Sequence, residues 1–201
     1  GHSQGALHLL RLLKEEVAGT PLAARVVAAT GGSTNAALHL PAMASECGID
    51  FDLFDVAEVF KSTPYIADLK PGGKYVAKDM HEAGGVYMAM KTLLDGGFID
   101  PNPITVTGKT IGENLEEITW NPDQKVFYDV KTPITPTGGV VGLKGSLAPD
   151  GAIVKVAGLS HLVHSGPARV FDSEEACFAA VMERKYDKND VLVIRYEGPK
   201  G

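Results

Sequence analysis

Cysteine is scarce in this sequence, which holds two among its 201 residues, Cys47 and Cys177. They lie far apart, and neither has a second cysteine or a histidine at the spacing of a metal site. The pattern argues against both a disulfide-stabilised scaffold and a zinc finger. Two free thiols are typical of a reducing compartment, so we predict a cytoplasmic protein.

An excess of positive charge is also missing. Lys and Arg number 19 and Asp and Glu 25, a net charge of −6, whereas proteins that bind nucleic acids or acidic membranes need a basic face. No apolar run approaches the roughly 20 residues that a membrane-spanning helix requires. With 44% hydrophobic and 22% charged residues, the composition indicates a globular protein with neither a nucleic-acid nor a membrane partner.

Up to about residue 100, apolar residues recur mainly at helical spacing, and Gly or Pro ends the runs. We predict helices over 5–18, 36–46, 53–60 and 86–94. Asp52 is the expected cap of the third helix, and Pro41 should kink or loosen the second. The short apolar stretch 25–29 is either a buried strand or a helical turn.

Beyond an Asp-Pro-Asn-Pro linker at 100–103, β-branched runs separated by Gly and Pro dominate. We predict strands over 104–107, 125–130, 140–144, 152–156 and 191–196. Two helices interrupt them, one at about 110–118 and one from Asp172, with Glu175 at capping-box spacing, through Arg184. The predicted fold class is α+β, with a mostly helical first region (1–100) and a β-rich second region (101–201).

The segment 31–35, with the sequence GGSTN, is the most informative local motif. Two glycines allow a backbone to approach a ligand closely, and polar groups at a helix start can bind a carboxylate or a phosphate. Serine and threonine are also good helix caps, so the same residues fit a purely structural turn. The residues alone leave both interpretations open for Ser33, Thr34 and Asn35.

Three ionisable residues are weaker candidates. Asp79 and His81 precede a Gly-Gly pair, and a histidine beside a carboxylate can act as an acid–base pair or bind a metal. Glu197 ends a predicted strand just before Gly-Pro, a common location for site residues. A solvated helix start and a solvated strand end explain the same residues without any function.

Two further patterns do not complete the sites that they resemble. Gly108-Lys109-Thr110 matches the end of a phosphate-binding P-loop, but Pro103 stands where that motif needs its first glycine. His161 and His164 have helical spacing but lie in a Gly-, Ser- and Pro-rich stretch with no carboxylate nearby. We therefore predict neither a nucleotide-binding loop nor a histidine metal site.

Six segments taken together carry a family resemblance. In chain order they are GGSTNAALHL (31–40), DMHEAGG (79–85), TVTGKT with ENL (105–110, 113–115), LKGSLAPDG (143–151), GPARVF (166–171) and VIRYEGPKG (193–201). The sequence resembles the dihydroxy-acid dehydratase / phosphogluconate dehydratase family, in whose order all six occur. The second and third segments are more similar to the branch that acts on dihydroxy acids and sugar acids.

This resemblance implies a hydro-lyase that dehydrates a 2,3-dihydroxy acid to a 2-keto acid in branched-chain amino-acid biosynthesis. It implies an iron–sulfur cluster held by three cysteines, a divalent cation, usually Mg²⁺, and a serine base. It also implies a homo-oligomer. In family terms, residues 1–100 correspond to the end of a first α/β domain, and residues 101–201 to the start of a second, β-barrel-like domain.

The departures from the family pattern are as informative as the match. The resemblance places the cluster cysteines, the Mg²⁺ ligands and the serine base in segments that this sequence does not contain. We therefore expect an internal segment of a longer enzyme, with no catalytic residue, metal or cofactor of its own, that is inactive when isolated and completed by the remainder of its chain. Ser33, Thr34 and Asn35 are the residues expected to line the substrate side of the site.

Two alternatives remain open at this stage. The first keeps the reaction and replaces the branched dihydroxy acid with a sugar acid such as a pentonate. The second is a non-catalytic binding or subunit-interaction module with the same fold, since the ligands that the family needs are absent from this sequence.

Overall fold

The computed structural model describes residues 22–198, which belong to two compact units divided after Gly158. The first unit contains α1 Leu22–Ala29, α2 Ala36–Glu46, α3 Leu53–Lys61, α4 Ala77–Glu82, α5 Gly85–Asp95, α6 Ile111–Leu115, β1 Val140–Gly145 and β2 Ala148–Lys155. The second contains β3 Ala168–Phe171, α7 Glu174–Met182 and β4 Val191–Ile194. Among the described residues, none of the helices has the length and apolarity needed to cross a membrane.

Helix α3 shows how local sequence fixes an element of the first unit. The Asp52 carboxylate accepts hydrogen bonds from the Phe54 and Asp55 N–H groups at 2.7 and 3.0 Å, and the Asp55 carboxylate accepts one from the Asp52 N–H at 2.8 Å. This reciprocal capping box satisfies donors that a helix start otherwise leaves unpaired. Val56 and Phe60, four residues apart on one face, are both fully buried. The cap predicted at Asp52 is therefore confirmed.

The core formed by the described residues of the first unit contains three apolar clusters. Phe60 packs with Ala28 of α1 and Val140 of β1 in one cluster. The other two centre on Leu93 with Ile66 and on Met88 with Phe127. Because the Phe60 cluster joins α1, α3 and β1, it brings the loop after α1 close to the start of the β-hairpin.

Strands β1 and β2 form that antiparallel hairpin. Val140 is paired with Lys155 and Leu143 with Ala152, and the register shifts between Leu143 and Gly145. The Gly139 carbonyl accepts hydrogen bonds from the Val156 and Ala157 N–H groups at 2.8 and 3.1 Å, which extends the pairing just outside the named strands.

The second unit is a small β-α-β arrangement. Strands β3 and β4 are parallel, in register from Ala168 with Val191 to Phe171 with Ile194. The Ser173 hydroxyl caps α7 by accepting a hydrogen bond from the Ala176 N–H at 3.1 Å. Cys177 is the one buried apolar residue among the described residues of this unit.

Much of the predicted secondary structure is confirmed. The helices predicted over 36–46, 53–60 and 86–94 are α2, α3 and α5, and Pro41 lies inside α2. The strands predicted at 140–144, 152–156 and 191–196 are represented by β1, β2 and β4, and the α+β fold class is correct. The stretch 25–29, left open between strand and helix, is helical. The helix predicted over 5–18 lies outside the described residues.

Several predictions about the second half are wrong in detail. Residues 104–107 enter a tight turn in which the Thr105 N–H donates to the Lys109 carbonyl at 2.8 Å, and a single bridge joins Ile104 to Thr110. Residues 125–130 form a single bridge, from Phe127 to Ala67, instead of a strand ladder. The two predicted helices are shorter than expected, at 111–115 and 174–182, and β3 was not predicted.

Two further corrections concern the cap of α7 and the sheet. Ser173 takes the capping position predicted for Asp172, because the Asp172 carboxylate instead accepts a hydrogen bond from Arg195 Nε at 2.5 Å. Within residues 22–198 the strands form two separate two-stranded sheets and no closed barrel. The domain boundary predicted near residue 100 stays a prediction.

Candidate functional site

The GGSTN loop, residues 31–35, connects α1 to α2 by reversing the chain. The Gly31 and Gly32 N–H groups donate to the Ala28 and Val27 carbonyls at 3.2 and 2.9 Å, which closes the end of α1. Gly31 has φ +97° and Gly32 φ +66°, left-handed values that residues with a Cβ adopt only with strain. Glycine is therefore required at both positions by backbone conformation.

Packing imposes the same requirement on the two glycines. A Cβ added to Gly31 would lie 3.0 Å from the ring of Tyr65, and one added to Gly32 would lie 2.5 Å from the ring of Phe60 and 3.1 Å from Val140. Phe60 and Tyr65 are themselves buried, so neither ring can move away without disturbing the core. The loop backbone thus packs directly against the rings of Phe60 and Tyr65, which we call the aromatic floor.

The three polar side chains of the loop are accessible. Ser33 and Asn35 are exposed and Thr34 is half-buried. Ser33 Oγ accepts a hydrogen bond from the Asn35 N–H at 3.2 Å, while Asn35 stands at the start of α2 without a side-chain capping bond. Helix capping therefore does not account for the Asn35 side chain, and the loop presents two hydroxyls and an amide at a fixed surface.

The loop is also held by residues from the distant hairpin. Lys155 Nζ donates a hydrogen bond to the Gly32 carbonyl at 3.2 Å across 123 residues of sequence. A Cβ on Gly139 would lie 2.8 Å from the Gly31 carbonyl oxygen and 2.5 Å from the Ala157 Cβ, so this glycine permits close approach of the hairpin to the loop. Sequence reasoning missed Lys155 and Gly139, because no local pattern links them to residues 31–35.

Tyr65 adds a titratable group beneath the loop. Burial raises the pKa of its hydroxyl, and the charge of Asp68 raises it further, against a hydrogen bond with the Leu69 backbone that lowers it. Both dominant causes disfavour the phenolate. Tyr65 is therefore a neutral hydroxyl over the physiological pH range, and its aromatic ring supports Gly31.

The weaker candidates lie in structural positions. The Asp79 carboxylate accepts a hydrogen bond from the Val76 N–H at 2.7 Å at the start of α4. His81 is exposed in the last turn of that helix, and among the described residues no hydrogen bond or ion pair joins it to Asp79. Glu197 Oε1 accepts a hydrogen bond from the Glu174 N–H at 3.0 Å at the start of α7. A functional role for these three residues stays a prediction.

The residues present do not fit the cluster and metal that the family resemblance implies. Within 22–198, no group of three or more His, Cys, Asp or Glu side chains is arranged to hold a metal ion. Cys47 is a half-buried free thiol and Cys177 a buried one. No chemical step can therefore be derived through a metal centre from this part of the chain.

Comparison with known families covers most of the chain. The dihydroxy-acid/6-phosphogluconate dehydratase N-terminal family model matches residues 21–114, and the C-terminal model of the same family matches residues 125–201. The GGSTN loop lies in the first matched region and Lys155 in the second. The contact between them therefore joins the two family regions within one compact unit.

Individual relatives agree with the family match. The chain is 67% identical over 181 residues to a dihydroxy-acid dehydratase of Parvibaculum lavamentivorans, covering 89% of this chain and 31% of the relative. It is 69% identical over 179 residues to dihydroxy-acid dehydratase 2 of Bradyrhizobium diazoefficiens, with the same coverage. A dihydroxy-acid dehydratase of Sulfurisphaera tokodaii is 49% identical over 178 residues, covering 88% and 32%. The chain thus spans about a third of the length of these relatives.

Proposed function

The chain belongs to the dihydroxy-acid/6-phosphogluconate dehydratase family, and on that premise we propose that it is a segment of an enzyme that dehydrates a 2,3-dihydroxy acid to a 2-keto acid. The observation that carries the proposal is the 67% identity over 181 residues to a protein named dihydroxy-acid dehydratase. Because the match covers 31% of that relative, we assign the activity to a longer protein that contains this segment.

Within that enzyme we propose that the GGSTN loop contributes to the substrate side of the site. Ser33, Thr34 and Asn35 present hydroxyl and amide groups that can donate hydrogen bonds to a carboxylate and accept them from substrate hydroxyls. The aromatic floor and the glycine conformations fix the loop before substrate binds, which is the condition for precise orientation. The role of these residues is to bind and orient the acid, not to transfer its protons.

The cluster, the cation and the base are proposed to come from other parts of the longer protein. A metal centre held by those other parts would supply Lewis-acid activation of a departing hydroxyl. We further propose a homo-oligomer, a cytoplasmic location, which the two free thiols support, and a place in branched-chain amino-acid biosynthesis, which the family resemblance implies.

Formation of 2-keto acid by the purified longer protein tests the proposal. We expect product from a branched 2,3-dihydroxy acid, a lower kcat/KM with a pentonate, and no product from the 201-residue chain alone. A preference for the pentonate would reassign the enzyme to sugar-acid dehydration. Failure of the longer protein to dehydrate either acid would contradict the proposed function.

The size of the native polypeptide separates the enzyme from a binding module. Blotting source cells with an antibody raised against this chain should detect a band about three times its 21.2 kDa mass, since the chain covers 31% of its relatives. A band at 21.2 kDa would favour a non-catalytic module, because the described residues hold no metal-ligand group.

A further inference from the structure

The backbone of Gly32 is held from two directions. Its N–H donates to the Val27 carbonyl in α1 at 2.9 Å, and its carbonyl accepts from Lys155 Nζ in β2 at 3.2 Å. The Gly32 carbonyl and the Ser33 N–H belong to one planar peptide unit, so fixing the first fixes the direction of the second. The Lys155 contact therefore sets the direction in which the chain continues into Ser33.

Within the described part of the chain, Lys155 lacks the carboxylate partner that four other lysines of the unit have. Lys61, Lys74, Lys78 and Lys91 each lie within 4.0 Å of a carboxylate. Lys155 is half-buried, and among the described residues it has no carboxylate partner and makes its one side-chain hydrogen bond to Gly32. A partly desolvated ammonium is costly unless a specific interaction offsets the loss of water, and a charged donor strengthens the hydrogen bond it makes.

The hairpin that carries Lys155 is anchored in the apolar core. Its strand partner Val140 is buried and packs against Phe60, the residue whose ring lies beneath Gly32. A shift of the hairpin would therefore disturb both the Lys155 hydrogen bond to the Gly32 carbonyl and the packing of Phe60 against Gly32. The conformation of the loop thus depends on contacts from both family regions.

We propose that Lys155 is the positioning residue of the substrate loop: through the Gly32 carbonyl, its ammonium group orients Ser33, Thr34 and Asn35 toward the acid. This inference rests on the substrate role proposed above for the loop. It assigns to the C-terminal family region a direct part in building a site whose polar groups come from the N-terminal region.

The test compares three variants of the longer protein. Lys155→Met keeps the length of the side chain but removes the charge and the donors, and we expect kcat to fall roughly 10- to 100-fold, as misplacement of a binding group does. Lys155→Arg keeps a charged donor and should restore most of that loss. Lys144→Met, on the same hairpin with its ammonium 5.5 Å from the ring centre of Phe54, is the matched control and should leave kcat unchanged.

Two outcomes would overturn the assignment. One is a Lys155→Met enzyme with the kcat and KM of the unmodified protein. The other is an equal loss in Lys155→Met and Lys155→Arg that parallels a fall in melting temperature, since that pattern belongs to general destabilisation rather than to positioning.

Amide hydrogen exchange at residues 33–37 in the same proteins keeps the test independent of the reaction. Exchange should accelerate in Lys155→Met and return toward the original rate in Lys155→Arg; an unchanged rate in Lys155→Met would contradict the positioning role. If the unmodified protein dehydrates no acid, the proposed function fails, while the exchange rates still decide whether Lys155 orders the loop.

Discussion

The two units of this chain are stabilised in different ways. In the first unit, Phe60, Ile66 and Leu93 are fully buried. In the second, Cys177 is the one buried apolar residue among the described residues, and the apolar Phe178 and Met182 of α7 are 64% and 68% exposed. Burial of large apolar side chains is the main source of folding stability, so the first unit has a dense core and the second does not.

Charged contacts take a larger part in the second unit. Arg169 of β3 donates to Asp190, just before β4, at 2.7 Å, and the Asp190 side chain is 5% exposed. Asp172 accepts from Arg195 at the opposite ends of the same two strands. The candidate loop, in contrast, lies on the unit with the apolar core. A loop that must hold three polar groups in fixed directions benefits from a base that does not depend on solvated ion pairs.

The difference in packing between the two units is tested most strongly by replacing one phenylalanine in each unit. Phe60→Ala should destabilise the first unit by about 3–5 kcal/mol, because it leaves a cavity in a closed core. Phe178→Ala should change stability by no more than about 0.5 kcal/mol, because the ring is largely solvated. Thermal unfolding of the 201-residue chain, followed by circular dichroism, measures both. Equal effects would show that the contrast in packing is not a contrast in stability.

The next largest effect is expected at the loop itself. Gly32→Ala combines left-handed strain with overlap against Phe60 and should cost about 2–5 kcal/mol. Gly97→Ala is the matched control, since Gly97 also has a positive φ of +76° but no neighbour within 4 Å of an added Cβ; its cost should be about 1–2 kcal/mol. Urea unfolding followed by the fluorescence of Trp120, the one tryptophan, reports on this unit. Similar costs for the two variants would rule out packing against Phe60 as the reason for glycine.

A smaller effect should appear when the pH is lowered. The Asp187 N–H and Arg169 hold the pKa of Asp190 below its ordinary value, and Arg195 does the same for Asp172. A carboxylate with a lowered pKa stabilises the folded state fully above its unfolded pKa of about 3.9, and this stabilisation is lost as the pH falls through the lower folded value. The amide signals of β3 and β4 should therefore disappear at a higher pH than those of α3 in an acid titration.

Arg169→Met provides the control for this titration. Removing the guanidinium takes away one cause of the lowered Asp190 pKa, so the variant should be less stable at neutral pH, and its stability should depend less on acid. If α3 and the β3–β4 pair lose their signals at the same pH in the unmodified chain, the distinction between a core and an ion-paired unit is wrong.

The parts of the fold that depend on short-range signals could be predicted from the sequence. Helix α3 has its cap, its apolar face and its terminator within about ten residues, and all were found. The strand predicted at 104–107 failed because the β-branched residues there serve a different purpose: Thr105 and Thr107 hydrogen-bond to the side chain of Asn114 and hold a tight turn. These residues do have a high β-strand propensity, but their hydrogen bonds to Asn114 determine the local conformation.

In the candidate site, too, only the features with a local sequence signal could be predicted. The GGSTN motif identified the loop, whereas the positive φ angles of its two glycines emerged only from the structure. The support from Lys155 and Gly139 could not be found, because it comes from a hairpin more than a hundred residues further along the chain. The capping position of α7 was missed by one residue, because two adjacent side chains, Asp172 and Ser173, can both cap and the ion pair with Arg195 decides between them.

The kinetics of one variant test the central claim, that the loop of residues 31–35 orients the substrate, most directly. In the longer protein, Ser33, Thr34 and Asn35 are replaced together by alanine, and kcat and KM for a branched 2,3-dihydroxy acid are compared with those of the unmodified enzyme. Thr110→Ala, which removes the cap of α6, controls for loss of an ordinary helix cap. We expect a lower kcat or a raised KM in the triple variant and unchanged kinetics in the control; unchanged kinetics in both would reduce the loop to a structural turn and contradict the account.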